Sequence, residues 1–371
     1  MAHCVENMAF MGTTPWHGLG QRLPENQPLE VWQKAAGMDW RIEESVVLFR
    51  ADPQRPFDVH THAESKVLYR SDTHMPLSVV SARYQTVQPS AILEFYRDLV
   101  VSVGGFELET AGVLKDGKKL WALAKTGQEA LLKGGDRVKG YLLLATSCDG
   151  TLATTAQFTS VRVVCHNTLQ MALGDREGVV RVPHSTQFDP EAVKRSLGVA
   201  GSQWEAFQDQ ITALADCQVK RWDVMRYIST VLGDPDKPLP EQRNERAMKK
   251  VVDLFAHEGQ GSRLPSAQGT AWGLVNAVTE YVDHHRRARS QDSRLDSAWF
   301  GPGAALKARA FSEAVSSWPN PFHPSVINLR LPGLFWGPFS FWRLYESSPF
   351  AIHKRPIPRC VACLSPTRDR E

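Results

Sequence analysis

The chain has 371 residues, of which 42% are hydrophobic and 22% charged, and its formal net charge at pH 7 is +3. This composition excludes wholesale disorder and supplies enough apolar material for one large domain or two ordinary ones. The net charge is too small to indicate a nucleic-acid or membrane partner by itself.

The N-terminus and the cysteines favour the cytoplasm. Residues 1–12 include polar and acidic residues where a secretory signal would need an uninterrupted apolar run. The sequence holds no stretch of roughly 18 uncharged apolar residues, the length needed to cross a bilayer. The six cysteines are scattered through the chain, so we expect reduced thiols in a cytoplasmic protein.

The first half of the chain predicts strands with two helices. Residues 1–27 contain several Gly and Pro and predict an extended N-terminal segment. Apolar residues at helical spacing predict a second helix after a first short one. The predicted helices cover residues 28–36 and 89–101. Between them, β-prone runs cover residues 40–50, 66–70 and 77–80.

Two Asp-Gly pairs predict β-hairpins in the middle of the chain. Asp116-Gly117 and Asp149-Gly150 each separate two β-prone runs, and Asp-Gly is a strong hairpin-turn pair. The flanking runs are residues 106–114 and 119–125, then 137–147 and 151–164. We therefore expect an antiparallel sheet of at least four strands.

The second half predicts helices, since apolar residues recur at spacings of three and four. The expected helices cover residues 204–214, 219–232, 241–257, 267–289 and 304–315. The predicted fold class is α+β: an antiparallel β-hairpin sheet with helices over residues 28–185, followed by a helical region over 186–318 packed on the sheet.

The last 53 residues have a different composition. Residues 319–371 hold nine prolines, and seven Lys or Arg against three Asp or Glu. No helical or strand periodicity accompanies their aromatic residues, so we expect this tail to lie outside the fold. One explanation is a frameshifted end of the coding sequence. The Cys360-Val361-Ala362-Cys363 spacing suits a zinc knuckle, but a structural zinc needs four ligands.

Three sequence blocks carry a resemblance to a known family. The first is Pro15-Trp16-His17-Gly18-Leu19-Gly20, and the second is the run from Phe158 to Leu169. The third is split into Ala271-Trp272-Gly273, the run from Asn276 to His284, and Trp299-Phe300-Gly301 with Gly303. Together they resemble the phage/plasmid-like protein family, built on a domain of unknown function common in plasmids and prophages. The resemblance covers roughly residues 1–315. It implies a mobile-element setting and assigns no chemistry.

That setting indicates DNA transactions such as recombination. The order of strands, hairpins and helices is also loosely similar to that of single-strand annealing recombinases. This similarity implies single-stranded DNA as a partner and a homo-oligomer, although a fold class does not determine a function.

The second block contains the first candidate nucleic-acid contacts. A strand ending near Cys165 would lead into a helix starting at Thr168, with Asn167 as its N-cap. Free amides there, with Arg162 or His166, could hold a phosphate. The alternative is that Arg162 pairs with a carboxylate while Asn167 merely caps the helix. Cys165 and His166 are adjacent on a strand and point to opposite faces, so they do not form a nucleophile-base pair.

The helix over 267–289 carries two further candidate groups. Glu280, Asp283 and His284 are spaced to share a metal, but we favour a solvated face opposite a buried stripe of valines. No metal or cofactor is therefore expected. The basic cluster consists of Arg286, Arg287 and Arg289. Such a cluster either contacts DNA phosphates or complements the dipole at the end of its helix.

Further basic and aromatic positions could contribute to a site. Lys249, Lys250, Lys307 and Arg309 could extend the basic cluster. Trp16 and His17 could stack on a base, although an aromatic in such a loop more often packs onto the core.

The leading hypothesis is a non-enzymatic DNA-associated protein of a mobile element. It would bind single strands through the sheet edge and the adjacent basic helices. The second hypothesis is an enzyme acting on a small or nucleotide-like substrate, with Arg162, His166, Glu280 and Asp283 converging in a pocket. The third is a protein that inhibits or assembles host machinery.

Overall fold

The computed structural model describes residues 8–12, 20–55, 57–103, 105–164, 167–170, 179–197, 201–233 and 244–318. Strands dominate the first half of this part of the chain and helices the second half. The predicted α+β class is therefore confirmed. Within the described residues, no helix combines the length and the apolar character that a membrane crossing requires.

The strands form two sheets. In chain order they are β1 (Met8–Met11), β2 (Gln21–Leu23), β3 (Ile42–Arg50), β4 (Val59–Arg70), β5 (Pro76–Ser81), β6 (Glu107–Leu114), β7 (Lys119–Leu132), β8 (Asp136–Ser147), β9 (Thr154–Arg162), β10 (Asn167–Gln170) and β11 (Val179–Val182). The larger sheet has the order β10-β9-β8-β7-β6-β1-β2, and β11 also pairs with β9. The smaller sheet has the order β3-β4-β5.

Both predicted Asp-Gly hairpins are present. Gly117 joins β6 to β7 with φ +98°, and Gly150 lies between β8 and β9 with φ +73°. These values lie in the left-handed region that glycine adopts without strain. The two hairpins are joined by β7–β8 pairing, so β6 to β9 form one antiparallel meander.

The helices follow largely in the second half. They are α1 (Leu29–Ala35), α2 (Pro89–Val103), α3 (Pro190–Leu197), α4 (Gly201–Asp216), α5 (Arg221–Leu232), α6 (Glu245–Asp253), α7 (Ala271–Glu280), α8 (Gln291–Phe300) and α9 (Pro302–Ser317). Two π-helical turns extend α6 and α7, at Leu254–Glu258 and Tyr281–His285. The short helices α3 and α8 were not predicted.

The predicted helix start at Thr168 is wrong. Residues 167–170 form β10, an edge strand in which Asn167 pairs with Arg162 of β9. The β-branched Thr168 suits this extended conformation. Asn167 is therefore the first residue of a strand and does not cap a helix.

The main sheet is covered on both faces. Along β7, Leu120, Ala122 and Ala124 belong to the large core cluster, while Trp121 and Leu123 belong to a second cluster. Alternate residues of a strand point to opposite faces, so two separate sets of side chains cover the sheet. The second cluster includes Trp299, whose ring meets that of Trp121 edge to face with centroids 4.7 Å apart.

Helix α7 lies at the centre of the helical region. All ten of its residues are buried, including Asn276 and Glu280. The prediction that its polar residues form a solvated face is therefore wrong. A helix buried on every side is expected where other elements surround it, and α7 contacts α4, α6, α9 and β10.

Gly273 lets α7 approach the preceding loop. A Cβ atom there would lie 1.9 Å from the carbonyl oxygen of Ala267, which is a backbone atom that cannot rotate away. The side chain of Thr270 caps the same helix start by accepting a hydrogen bond from the Gly273 amide at 3.0 Å. This close approach explains why the Ala271-Trp272-Gly273 block needs glycine at its third position.

We predict that Gly273→Ala lowers the free energy of unfolding. In an unobstructed helix interior, Gly→Ala stabilises by about 1 kcal/mol, whereas forced overpacking costs about 1–3 kcal/mol. The sign of the change, measured by urea denaturation, decides between the two effects. A stabilised variant would contradict the close approach of Gly273 to Ala267.

Candidate nucleic-acid interface

The basic cluster lies where two helices end side by side. Helix α6 closes with Gly259 N–H donating to the Leu254 carbonyl at 3.0 Å, and α7 closes with Arg286 N–H donating to the Tyr281 carbonyl at 2.7 Å. Both bonds span five residues, which is the π-helical pattern. Such π-helical turns are often found at functional sites.

The two helix ends lie together, because α6 and α8 both contact the π-helical turn Tyr281–His285. The pKa of His285 is lowered by burial and by the positive charges of Lys250, His284 and Arg294. Lys250 belongs to α6 and Arg294 to α8, so three elements bring positive charge to one region. Lys250 Nζ also lies 2.6 Å from a carboxylate oxygen of Glu258, and this pair is solvent-exposed.

Arg294 closes the carbonyl end of the α7 extension. Its Nη1 atom donates to the backbone oxygens of His284 and Arg286, both at 2.8 Å. A cation there satisfies terminal carbonyls and complements the helix dipole. Arg294 therefore performs the dipole-complementing role that the sequence offered for Arg286, Arg287 and Arg289. Sequence patterns did not indicate this role for Arg294, because they did not predict α8.

The arginines of the cluster differ in exposure. Arg287 and Arg289 are exposed, and no carboxylate of the described residues lies within 4.0 Å of either guanidinium. Arg286 is half-buried and its Nη1 lies 3.4 Å from the Ser297 hydroxyl oxygen. We define the basic surface as Lys250, His285, Arg286, Arg287 and Arg289. These side chains can meet phosphate oxygens without first breaking a buried contact.

Arg162 does not belong to this surface. Its guanidinium is buried against Asp136, with Nε at 2.9 and 3.0 Å from the two carboxylate oxygens and Nη2 at 2.9 Å. This is the alternative in which Arg162 pairs with a carboxylate. The buried guanidinium is closed to a phosphate of bound DNA, so we leave Arg162 out of the candidate interface.

Several other positions considered from the sequence lie outside the described residues or have no described side chain. His166 and Cys165 lie outside the described residues, as do Trp16, His17 and the tail over residues 319–371. For Asn167 the structure describes the backbone in β10 and not the side chain.

Asp136 lies at the centre of a buried layer of polar side chains that sequence reasoning missed. Besides Arg162, it accepts hydrogen bonds from the Ser266 hydroxyl at 2.7 Å and the Trp272 indole at 3.3 Å. Asp136 begins β8, while Ser266 and Trp272 flank the start of α7. The carboxylate therefore ties the sheet to the central helix.

The same layer continues through Arg162 and Glu280. Arg162 donates to the carbonyl oxygens of Gln260 and Gly261 at 3.3 and 3.1 Å. Glu280 accepts the Gln260 amide at 3.1 and 3.0 Å, and burial raises its pKa. Together they hold the loop between the π-helical turn of α6 and the start of α7.

The ion pair between Asp283 and Lys307 belongs to the same layer. Asp283 lies about one helical turn after Glu280. Lys307 Nζ lies 2.7 Å from both Asp283 Oδ1 and the Thr168 hydroxyl, and the Thr168 amide donates to Asp283 Oδ2 at 3.0 Å. Lys307 and Asp283 are buried, so Lys307 does not extend the basic surface as predicted. Arg309, the other residue of α9 considered, donates to the Val231 carbonyl.

These contacts leave little open space around Lys307. The cavity beside Lys307, lined by Gln157, Thr159, Thr168 and Trp299 among others, has about 10 Å³ open to water, which is room for about one molecule. Both Asp283 oxygens are engaged, and no group of three potential metal ligands occurs among the described residues. The described members of the proposed catalytic pocket, Arg162, Glu280 and Asp283, hold backbone and side chains in place.

The sequence matches one known protein family. The family described as Domain of unknown function (DUF932) matches residues 76–299. The chain belongs to the DUF932 family. No curated protein and no solved structure matches the sequence. The matched DUF932 region runs from the start of β5 almost to the end of α8, and it contains Asp136, Arg162, Asp283 and the basic surface.

We predict that Asp136→Ala lowers the free energy of unfolding by about 3–5 kcal/mol, because removal of one partner leaves the buried Arg162 charge uncompensated. The matched control is Glu129→Ala, which breaks the exposed Glu129–Arg137 pair between β7 and β8. That pair contributes about 0–1 kcal/mol. Urea denaturation measures both, and similar small losses would show that Asp136 does not hold the layer.

A further prediction concerns Lys307. Burial lowers its pKa despite the opposing effect of Asp283. Between the lowered folded-state pKa and the ordinary value of 10.5, the unfolded chain binds more protons at Lys307 than the folded one. Stability from this group therefore rises with pH in that interval. We expect the difference in unfolding free energy between wild type and Lys307→Met to grow from neutral pH toward pH ~10.

Comparing wild type with Lys307→Met removes the effect of groups common to both, among them the buried tyrosines whose pKa is raised. Guanidinium denaturation at a series of pH values provides the measurement. A difference that stays constant or shrinks with increasing pH would contradict the lowered pKa of Lys307.

Proposed function

We propose that the protein binds DNA through the basic surface, by contacts with the phosphate backbone that do not depend on base sequence. The observation that carries the proposal is the exposed pair Arg287 and Arg289, beside Lys250 and His285 from the adjoining helix ends. Lysine and arginine contacts with phosphates supply most of non-specific DNA affinity.

The local charge balance supports an anionic partner. The run from His284 to Arg289 contains three arginines and no acidic residue, while the lowered pKa of His285 keeps its imidazole mainly neutral at pH 7. Glu258 is the exposed carboxylate coupled to this region, and Lys250 already neutralises it. The formal charge of the whole chain is only +3, so this concentration is local.

The scaffold also suits such a role. The basic surface lies at a helix end that two buried contacts fix in place. They are the Asp283–Lys307 ion pair and the hydrogen bond from the Gln260 amide to Glu280. A fixed backbone places several cations at constant spacing, so less conformational entropy is lost when they meet a phosphate chain. The exposed side chains themselves remain free to adjust to the nucleic acid.

The biological setting is part of the same proposal. The resemblance of the Phe158 to Leu169 and Ala271-Trp272-Gly273 blocks to phage/plasmid-like proteins supports a role in a mobile element. A non-enzymatic role in DNA recombination, of the single-strand annealing type, agrees with the burial and hydrogen bonding of Asp283, Glu280 and Asp136. Membership of the DUF932 family adds no activity.

We predict that Arg287→Glu/Arg289→Glu weakens DNA binding and its dependence on salt. Each lost phosphate contact lowers the slope of log K against log[salt] by about 1, so the double variant should lose about 2. Fluorescence anisotropy with single-stranded and double-stranded oligonucleotides across a salt series measures both quantities.

The matched control is Arg97→Glu/Arg195→Glu, which makes the same change in net charge at two exposed arginines outside the basic surface. This variant should keep most of the affinity and the slope. If wild type binds neither oligonucleotide at low salt, or if both double variants weaken binding equally, the proposed interface is wrong.

A further inference from the structure

Strand β3 forms an edge of the smaller sheet. Among the described residues its only strand neighbour is β4, which pairs with it from Ile42–Arg70 to Arg50–Val59. The outer half of this hairpin extends beyond the body of the protein, since most residues of β3 after Ile42 are exposed. An unpaired edge of this length is a template for pairing with another strand.

The direction of the free backbone groups follows from Ile42. Its amide and carbonyl both bond the Gln88 side chain, at 2.9 and 3.0 Å, so they point away from β4. Backbone groups alternate in direction along a strand. The register shift between Val46 and Val47 places its extra residues on β4, from Lys66 to His62, while β3 advances by one residue. The alternation along β3 therefore continues, and the amides and carbonyls of Glu44, Val46, Leu48 and Arg50 point to the free edge.

The side chains of these same residues form one stripe. Glu44, Val46, Leu48 and Arg50 share a face because alternate residues of a strand do so. Val46 and Leu48 are 60% and 57% exposed, and Glu44 and Arg50 are exposed at either end. The Glu44 carboxylate also accepts hydrogen bonds from Lys66 Nζ and the Thr86 hydroxyl. Proteins usually place a charge or proline on such an edge to prevent pairing, whereas the middle of this edge is apolar.

We propose that β3 pairs with β3 of a second copy of this chain, antiparallel, with the two-fold axis at Val47. This register places Glu44 opposite Arg50 of the copy and Val46 opposite Leu48 of the copy. All four residues have edge-directed backbone groups, so these pairs exchange the ladder hydrogen bonds. The stripe is thus complementary to itself in charge and in apolar character, as a two-fold interface requires.

A second copy explains the hairpin better than nucleic acid does. The hairpin between Ile42 and Arg70 mixes Arg and Lys with Asp and Glu, and several of these pair within it, including Lys66 with Glu44 and Arg70 with Asp72 beside it. A surface of mixed charge offers no phosphate track. The proposed dimer interface shares no residue with the basic surface, so a failure of the dimer proposal and a failure of the DNA-binding proposal can be distinguished.

Cysteine cross-linking tests the register. Val47 would face Val47 of the copy as a non-hydrogen-bonded pair, with Cα atoms about 4.5 Å apart, within the range for a disulfide. We expect Val47→Cys to form a covalent dimer under mild oxidation. Val79→Cys, at a 62% exposed position on β5, is the control for random collisions. Wild type, which carries the native cysteines, gives the background.

Sedimentation velocity tests the association itself. Wild type should dimerise with increasing concentration, and Leu48→Lys should abolish the dimer because its ammonium would oppose Val46 of the copy. Val79→Lys, the matched control, should dimerise as wild type does. Arg50→Glu should raise the dissociation constant by about 2-fold to 30-fold, since two cross-strand pairs change from attraction to repulsion.

The proposal is overturned by a wild type that stays monomeric at its highest soluble concentration, or by a Leu48→Lys dimer as tight as that of wild type. Cross-linking of Val47→Cys no stronger than that of Val79→Cys would overturn the register. Far-UV circular dichroism of each variant establishes that the fold is intact. If Arg50→Glu instead weakens DNA binding while wild type is monomeric, the hairpin contacts nucleic acid and the dimer is rejected.

Discussion

The buried ion pair between Asp136 and Arg162 joins the sheet to the helices packed on it. Each charge would be costly to bury alone, and each is therefore surrounded by further hydrogen bonds. Asp136 also accepts from Ser266 and Trp272, while Arg162 donates to the Gln260 and Gly261 carbonyls. One pair thus determines where β8, β9 and the loop before α7 lie with respect to one another.

The position of the basic surface depends on this layer. Glu280 and Asp283 lie on α7 and its extension, and both are fixed from beneath, by the Gln260 amide and by Lys307 with Thr168. The next residues along the chain, from His284 to Arg289, carry the exposed cations. Buried charge therefore has a structural role in this protein, and exposed charge has the proposed role in binding. The two sets lie within a few residues of each other on the same helix end.

Much of the architecture could be predicted because it depends on local sequence. Asp116-Gly117 and Asp149-Gly150 suit the tight turns of the meander, and the spacing of Trp204, Phe207, Ile211 and Leu214 predicts α4. The Thr168 region was mispredicted as a helix because strand pairing with β9 overrides a weak local preference. Glu280 and Asp283 were placed in solvent because their partners Gln260, Lys307 and Thr168 lie 20, 24 and 115 residues away in the chain.

The sequence by itself determined the α+β class, the hairpins, most helices, the family resemblance and the positions of its densest basic cluster. The tertiary structure decided which charges are available. Arg162 and Lys307 carry the same kind of positively charged side chain as Arg287 and Arg289. Arg162 and Lys307, however, pair with Asp136 and Asp283 in the core. Their partners are 26 and 24 residues away in sequence. Local patterns report the periodicity of a segment, whereas the burial of a charge depends on every element packed around it.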